Sequence, residues 1–159
     1  MTELISAGLL MYTYKNEKLK VFLVHPGGPF FVKKDEGYWG IPKGLVEKDE
    51  DLFDTAKREF EEETGIIPEG KFITLGFVTQ KNGKKVYGWA YEAKNDLPIE
   101  ITCNTFEMEW PPHSKKKQNF PEVDRGEFFD IQDAGKKINS AQIEFINRLK
   151  EHLQNQILK

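Results

Sequence analysis

Cysteine is nearly absent from this chain of 159 residues, since Cys103 is its one thiol. One cysteine cannot form a disulfide within a chain, and it cannot build a cysteine-rich zinc site by itself. The sequence therefore excludes a disulfide framework, and we expect Cys103 to be a buried, inert thiol.

Long apolar runs are also missing. No run approaches the roughly 18 residues that a membrane-spanning helix needs. Residues 1–4 lack the basic stretch that precedes the apolar segment of a secretory leader. We therefore expect no membrane partner and a cytoplasmic location.

Charge of one sign is not in large excess, because 23 Lys and Arg residues stand against 26 Asp and Glu residues, a formal net charge of −3. This balance argues against a general nucleic-acid coat, so a nucleic-acid partner is not expected.

Serine is scarce, and none of Ser6, Ser114 and Ser140 lies in a Gly-x-Ser-x-Gly motif, which excludes a serine hydrolase. The three histidines show no metal-ligand spacing, and we expect each to be ordinary.

Strand patterns recur along most of the chain. Stretches rich in β-branched and aromatic residues predict strands at residues 4–14, 19–24, 72–80, 86–93, 105–110 and 126–131. The first two strands and the next two are predicted to form hairpins, the second around Asn82-Gly83. The stretch from Pro111 to Pro121 is rich in proline and lysine, and we predict a long loop there.

A final helix and the chain length complete the predicted fold. Asn139 and Ser140 are predicted to cap a helix whose apolar residues keep a 3-4-4 spacing, namely Ile146, Leu149, Leu153 and Ile157. Strands interleaved with two helices predict an α/β or α+β layer fold. At this length we predict a single domain over residues 1–159.

The most informative stretch is an acidic helix predicted between Asp51 and Gly65. Asp51 or Asp54 is a natural N-cap, and Gly65 is a natural stop. An apolar stripe of Phe53, Ala56 and Phe60 predicts that one side of this helix packs on a sheet.

Three carboxylates share another face of this helix, because Glu59, Glu62 and Glu63 stand at i, i+3 and i+4. Neighbouring carboxylates repel one another unless cations neutralise them, and carboxylate oxygens are the ligands that hard divalent ions prefer. A solvated acidic face is the alternative interpretation of such a cluster. Arg58 lies beside this face and is placed to brace a carboxylate such as Glu50.

The spacing of these residues resembles the Nudix box, whose pattern is G-x5-E-x7-R-E-U-x-E-E-x-G-U, with U a bulky apolar residue. The chain meets every position between residues 44 and 66, with Gly44, Glu50, Arg58, Glu59, Phe60, Glu62, Glu63, Gly65 and Ile66. The resemblance implies an α/β/α sandwich, in which a mixed sheet lies between helices and the box forms a loop–helix–loop. It also implies hydrolysis of a nucleoside diphosphate linked to a further group.

The resemblance also implies roles for individual residues. Glu59, Glu62 and Glu63 would be metal ligands together with the Gly44 carbonyl, and the ion would be Mg2+ with Mn2+ as an alternative. Glu59 would also orient or deprotonate the attacking water. We count Arg58 with Glu59 and Glu62 as the catalytic set, with Arg58 bracing the loop through Glu50.

Further carboxylates and lysines are candidates outside the box. Lys43, in the segment from Trp39 to Gly44, resembles the lysine with which dinucleoside polyphosphate hydrolases reach the phosphate chain. Lys84 and Lys115 belong to a possible basic collar for that chain, although loop lysines are more often only solvated. Glu107 is a candidate for a further metal or base role, with Glu109 and Glu127 as its rivals.

Tyr87 is the first candidate for stacking on a nucleobase. The other candidates are Tyr38, Trp39 and Trp89. Aromatic residues at alternate strand positions, as Tyr87 and Trp89 are, more often belong to a packed face of a sheet.

The resemblance implies a Mg2+-dependent hydrolase of a small-molecule nucleotide, with dinucleoside polyphosphates such as diadenosine tetra- or hexaphosphate as the first substrate class. A nucleoside triphosphate or nucleotide-sugar pyrophosphohydrolase is the alternative, and inositol pyrophosphates would also suit a lysine collar. A non-catalytic nucleotide-binding sensor belongs to a different class, although the chain keeps every box carboxylate. A monomer and a homodimer are both compatible with the sequence.

Overall fold

The computed structural model of the protein describes residues 4–94 and 105–157, and Cys103 lies outside them. Among these residues the strands are β1 (Ile5–Lys15), β2 (Lys18–Pro26), β3 (Lys43–Leu45), β4 (Phe72–Thr79), β5 (Lys85–Glu92), β6 (Thr105–Glu109), β7 (Lys117–Pro121) and β8 (Val123–Asp130). The helices are α1 (Leu52–Thr64), α2 (Ile131–Lys137) and α3 (Ile143–Ile157), with a short 3-10 helix at Ser140–Gln142.

The main sheet is mixed and is arranged around β1. Its order is β4-β5-β1-β2-β8, and β3 also pairs with β1. The β1–β5 pair is parallel, whereas β2, β3 and the outer strands pair antiparallel. The two predicted hairpins, β1–β2 and β4–β5, are confirmed.

Helices cover both faces of this sheet. On one face, Leu10 of β1 belongs to an apolar cluster with Phe145 and Leu149 of α3. On the other face, Leu9 packs in a cluster with Phe60 of α1, because successive strand residues point to opposite sides. The predicted layer fold with a mixed sheet between helices is therefore confirmed.

The apolar stripe of the final helix is buried where it is described. Ile146, Leu149 and Leu153 all belong to the core, while the side chain of Ile157 lies outside the described part. Asn139 caps the short 3-10 helix before α3, with its Oδ1 accepting from Ala141 N at 2.9 Å. None of the helices in the described ranges is long and apolar enough to cross a bilayer.

The predicted loop from Pro111 to Pro121 is wrong in its second half. Lys117–Pro121 forms β7, which pairs antiparallel with β6 in a two-stranded ribbon outside the main sheet. The charged and amide residues of this strand are mostly exposed, so its sequence carries no alternation of buried and exposed apolar residues.

The predicted boundaries near the carboxyl end also need correction. Strand β8 begins at Val123 rather than at residue 126, because the charged pair Asp124 and Arg125 continues the strand next to β2. Helix α2 was not predicted, since Gly135 lowers its intrinsic propensity. Its start is fixed by Asp130, which accepts a hydrogen bond from Asp133 N.

A close approach between β5 and α3 gives a test of the packing. A Cβ at Gly88 would lie 2.8 Å from Cε1 of the buried Phe145 ring. We expect Gly88→Ala to lower the free energy of unfolding by about 1–3 kcal/mol, because overpacking a filled core has roughly this cost. Urea denaturation measures the change.

The coupling to Phe145 is tested in the Phe145→Leu background, where the same substitution should cost less. Gly135→Ala is the control, because a Cβ there meets no heavy atom within 4 Å and a helix favours alanine over glycine. Equal losses from Gly88→Ala in both backgrounds would contradict the contact.

Candidate active site

Helix α1 is held at both ends by its own sequence. Asp51 Oδ2 accepts hydrogen bonds from Phe53 N at 3.1 Å and Asp54 N at 3.2 Å, so Asp51 is the N-cap. At the other end Gly65 adopts a left-handed conformation with φ of 77°, and its N–H donates to the Glu61 carbonyl. These caps fix where the helix begins and where it ends.

Arg58 connects the helix to the loop that precedes it. Its Nε donates to Glu50 Oε2 at 2.8 Å and its Nη2 to Glu50 Oε1 at 2.9 Å. Thr55 Oγ1 adds a 2.6 Å hydrogen bond to the same carboxylate. The bond from Arg58, with that from Thr55 next in weight, lowers the pKa of Glu50 to about 2. The contact between Arg58 and Glu50 that the sequence predicted is therefore observed in the structure.

The same guanidinium also binds two of the predicted metal ligands. Arg58 Nη1 donates to Glu59 Oε1 at 2.9 Å and to Glu62 Oε2 at 3.2 Å. The side chain of Glu62 is 39% exposed, whereas that of Glu59 is 14% exposed. Burial raises the pKa of Glu59, and the charge of Glu62 raises it further against the opposing charge of Arg58.

Glu59 lies directly against Gly44. A Cβ at Gly44 would stand 2.0 Å from Cδ of Glu59, so no side chain fits at this position. Gly44 is itself held by β3, where it pairs with Ala7 of the central strand. The sheet and the helix thus bring the predicted backbone ligand and the first predicted carboxylate together.

Glu63 is the most deeply placed of the three carboxylates, with 9% of its surface exposed. Burial raises its pKa to about 8, and the charges of Glu59 and Glu122 add to that rise, while Lys43 opposes it. The pKa of Lys43 is lowered by burial and next by the charge of Lys84. Burial therefore disfavours the charged forms of both groups, and a like charge beside each of them adds to that cost.

A cavity of about 320 Å³, which we call the first cavity, opens beside these groups. Its lining includes Lys43, Glu63 and Glu122, together with Tyr38 and Gln80. A pocket of this size falls in the range of small-molecule sites, about 300–1,000 Å³. The first cavity is the place where a ligand would meet both the acidic helix and Lys43.

Glu122 is a functional candidate that the sequence did not reveal. The candidates for an extra carboxylate were Glu107, Glu109 and Glu127, but it is Glu122 whose charge raises the pKa of both Glu59 and Glu63. Glu122 stands between Pro121 and Val123, where β7 ends and β8 begins. No local pattern marks this turn, because its nearness to α1 depends on the β2–β8 pairing.

Four other predicted site residues are not part of the lining of the first cavity. Tyr87 packs its ring 5.3 Å from that of Phe77 on the α1 side of the sheet, as the packed-face alternative describes. Glu107 pairs with Lys117 at 3.5 Å on the β6–β7 ribbon. Lys115 is exposed in the turn of that ribbon with φ of 64°. Lys84 lies close enough to Lys43 to lower its pKa.

Among residues 4–94 and 105–157, no three acidic, histidine or cysteine side chains are already gathered around one ion position. Two of the carboxylates are turned to Arg58 instead. The donor set nevertheless fits a hard divalent cation in kind, because it consists of carboxylates with a backbone carbonyl beside them. The raised pKa of Glu63 marks where a positive charge would stabilise the ionised form.

His25 lies behind the first cavity and contacts Trp39, which lines it. It is fully buried, with Nδ1 2.8 Å from Asp124 Oδ1 and Nε2 donating to the Lys34 carbonyl at 2.6 Å. Its ring meets that of Trp39 edge-on at 5.2 Å, and Trp39 is buried. These contacts join β2, β8 and the loop that carries Tyr38.

Comparison with known proteins gives a family match over most of the chain. The model of the NUDIX domain matches residues 4–149. The asymmetrical bis(5'-nucleosyl)-tetraphosphatase of Rattus norvegicus is 40% identical over 70 residues, which is 40% of this chain and 47% of that protein. Nudix hydrolase 7 of Arabidopsis thaliana is 38% identical over 68 residues, 43% of this chain and 23% of that protein. The chain spans less than half the length of these curated relatives.

Solved structures show the same fold at lower identity. An Ap4A hydrolase of C. elegans in a binary complex is 22% identical with a TM-score of 0.68, covering 96% of this chain and 98% of that one. The NUDIX domain of Shewanella oneidensis NrtR, complexed with ADP ribose, is 20% identical with a TM-score of 0.69, covering 96% of this chain and 90% of that one.

The Arg58–Glu50 pair predicts an acid-dependent contribution to stability. Because the folded pKa of Glu50 lies below that of the unfolded chain, the pair stabilises the fold above about pH 4.5. That contribution should be lost as the pH falls towards about 2. We expect Glu50→Gln to cost about 2 kcal/mol at pH 7, as hydrogen bonds to charged groups contribute roughly 1.5–3 kcal/mol.

Urea denaturation at pH 7 and pH 3 measures the two differences, and the cost should shrink at pH 3. Glu61→Gln is the matched control, because Glu61 is exposed on the same helix. A cost for Glu50→Gln that does not change with pH would contradict the electrostatic account.

Proposed function

Since the chain belongs to the NUDIX domain family, we propose that it is a Mg2+-dependent hydrolase that cleaves a pyrophosphate bond in a dinucleoside polyphosphate. The observation that carries this proposal is that Glu59 lies against Gly44 while Glu63 and Lys43, one residue before Gly44, line the same cavity. Acidic groups for a cation and a basic group for phosphate thus stand at the same site.

Glu59, Glu62 and Glu63 would hold the cation with the Gly44 carbonyl, and Mn2+ would suit the same oxygen donors. When bound, the ion would supply positive charge that offsets the negative charge of the phosphates and the charge that develops on the attacking water as it loses its proton. Arg58 anchors the helix to the Glu50 loop, and it shares its remaining donors between Glu59 and Glu62.

Glu59 is the residue that we assign to the attacking water. Its pKa is raised by burial, which makes its carboxylate a better proton acceptor than an exposed one. A water oxygen would form a bond to phosphorus as its proton passes to Glu59, and the bond from that phosphorus to the bridging oxygen would break. The leaving phosphate would carry away the negative charge.

Lys43 and Lys84 are the cations that we assign to the phosphate chain. Lys43 lines the first cavity, and Lys84 is near enough to lower the pKa of Lys43, so each would be stabilised by a polyphosphate between them. Tyr87, Lys115 and Glu107 stay predictions from the sequence, because they do not line the first cavity in the described part of the chain.

The substrate class is supported by the name of the partial relative from Rattus norvegicus, a bis(5'-nucleosyl)-tetraphosphatase. The alternative is a nucleoside triphosphate or nucleotide-sugar pyrophosphohydrolase acting through the same residues. A single domain over residues 1–159, a cytoplasmic location and a monomeric or homodimeric state stay predictions.

Hydrolysis across a panel of nucleotides tests the proposal. The panel contains diadenosine tetraphosphate, ATP, UDP-glucose, ADP-ribose and an inositol pyrophosphate, each with Mg2+ and with a chelator. We expect diadenosine tetraphosphate to give the highest kcat/KM and the chelator to abolish turnover. In Glu59→Gln, kcat should fall at least about 100-fold, because a general base contributes about 10²–10⁴-fold.

Glu61→Gln is the matched control on the same helix, and it should stay within twofold of the parent chain. If ATP or UDP-glucose gave the highest kcat/KM, the proposed substrate class would be wrong, while the proposed hydrolysis of a pyrophosphate bond would stand. Nucleotide binding without turnover of any substrate would overturn the proposal that the chain is an enzyme and would favour a nucleotide-binding sensor.

A further inference from the structure

A second, larger cavity lies next to the first. Its volume is about 670 Å³, and we call it the second cavity. Three segments that are distant in sequence line it: the loop at residues 36–38, the β4–β5 turn at residues 80–82, and the stretch at residues 135–143 from α2 to the start of α3. None of the predicted metal ligands lines it.

The two cavities share part of their walls. Tyr38, Gln80 and Asn139 line both of them, so they meet along these side chains. Tyr38 is 44% exposed, which leaves part of its ring accessible to a ligand at the junction. An elongated ligand whose phosphates lie beside Lys43 can therefore continue past Tyr38 into the second cavity.

The lining of the second cavity suits a nucleotide. Lys81 and Lys136 are exposed cations, and neither forms a salt bridge with another residue in the described ranges. Glu36 is the one carboxylate among the described residues of the lining, so cations outnumber anions there. The half-buried Ile143 supplies apolar surface for a base, and amide groups nearby supply hydrogen bonds.

We propose that the second cavity binds the distal nucleoside of a dinucleoside polyphosphate, with Lys81 and Lys136 placed against the phosphate that carries it. The inference rests on the proposed function, because the reacting phosphates must occupy the first cavity. Under this proposal, residues outside the acidic helix make the chain prefer a substrate with two nucleosides to a substrate with one.

Two substrates that differ in the distal nucleotide isolate this contact. Diadenosine tetraphosphate carries a distal adenosine together with its phosphate, whereas ATP lacks both. The measured quantity is the ratio of their KM values with Mg2+. We expect Lys81→Ala and Lys136→Ala each to raise the KM of diadenosine tetraphosphate, relative to that of ATP, about three- to fivefold, as suits one exposed ionic contact.

Gly135→Leu tests the same site by filling it. Gly135 lines the second cavity, a Cβ there meets no heavy atom within 4 Å, and a leucine raises helix propensity. This variant should therefore fold, and the KM ratio should rise about tenfold. Lys150→Ala is the control, because Lys150 is an exposed lysine of α3 outside both cavities, and it should leave the ratio unchanged.

Calorimetric titration of both nucleotides in EDTA separates this inference from the proposed function. Tighter binding of diadenosine tetraphosphate, lost in Gly135→Leu, would support the second cavity even if neither nucleotide were hydrolysed. Equal changes for the two nucleotides, or no change in any of the three variants, would overturn the inference while hydrolysis by the parent chain still upheld the proposed function.

Discussion

The burial of carboxylates beside one another is the constraint on which the candidate site depends. Helix α1 gathers Glu59, Glu62 and Glu63 near Glu122, and one guanidinium, that of Arg58, binds two of them together with Glu50. Arg58 is hydrogen-bonded to Glu59 and Glu62, whereas the cation that lowers the pKa of Glu63 is Lys43, whose own pKa is lowered by burial. The core of the cluster is therefore left short of positive charge.

This imbalance links stability to function. An apolar residue in place of Glu63 would avoid the cost of a buried carboxylate, whose pKa rises to about 8 for that reason. A charged ligand that enters the first cavity changes the balance, because a cation would stabilise the ionised carboxylates and a polyphosphate would stabilise Lys43. The unfavourable groups thus become favourable ones in a complex, which is how binding sites commonly differ from the remaining surface.

The parts of the site that are local in sequence could be predicted, and the parts that depend on tertiary contacts could not. The spacing of Glu59, Glu62 and Glu63, the Asp51 cap and the Gly65 stop all follow from helical periodicity. Gly44 followed from the resemblance, but its physical reason, the carboxylate lying against it, needed the structure. Glu122 and the second cavity arise where segments far apart in sequence meet, and no periodic pattern reports such meetings. The β6–β7 ribbon was missed because strand β7 buries little apolar surface.

The central position of β1 has a consequence for the order of assembly. Ile5 pairs with Lys85 and Lys20 pairs with Asp130, so the sheet joins residues that are far apart along the chain. Contacts of such long range require large loops to close, which slows folding. Helix α1 packs on β1 and also touches β5, so the surface beneath the acidic helix is complete only after β5 has joined the sheet. During synthesis, the carboxylates of this helix emerge after β1 and β3 but before β5, so the last strand that supports the helix is made after it.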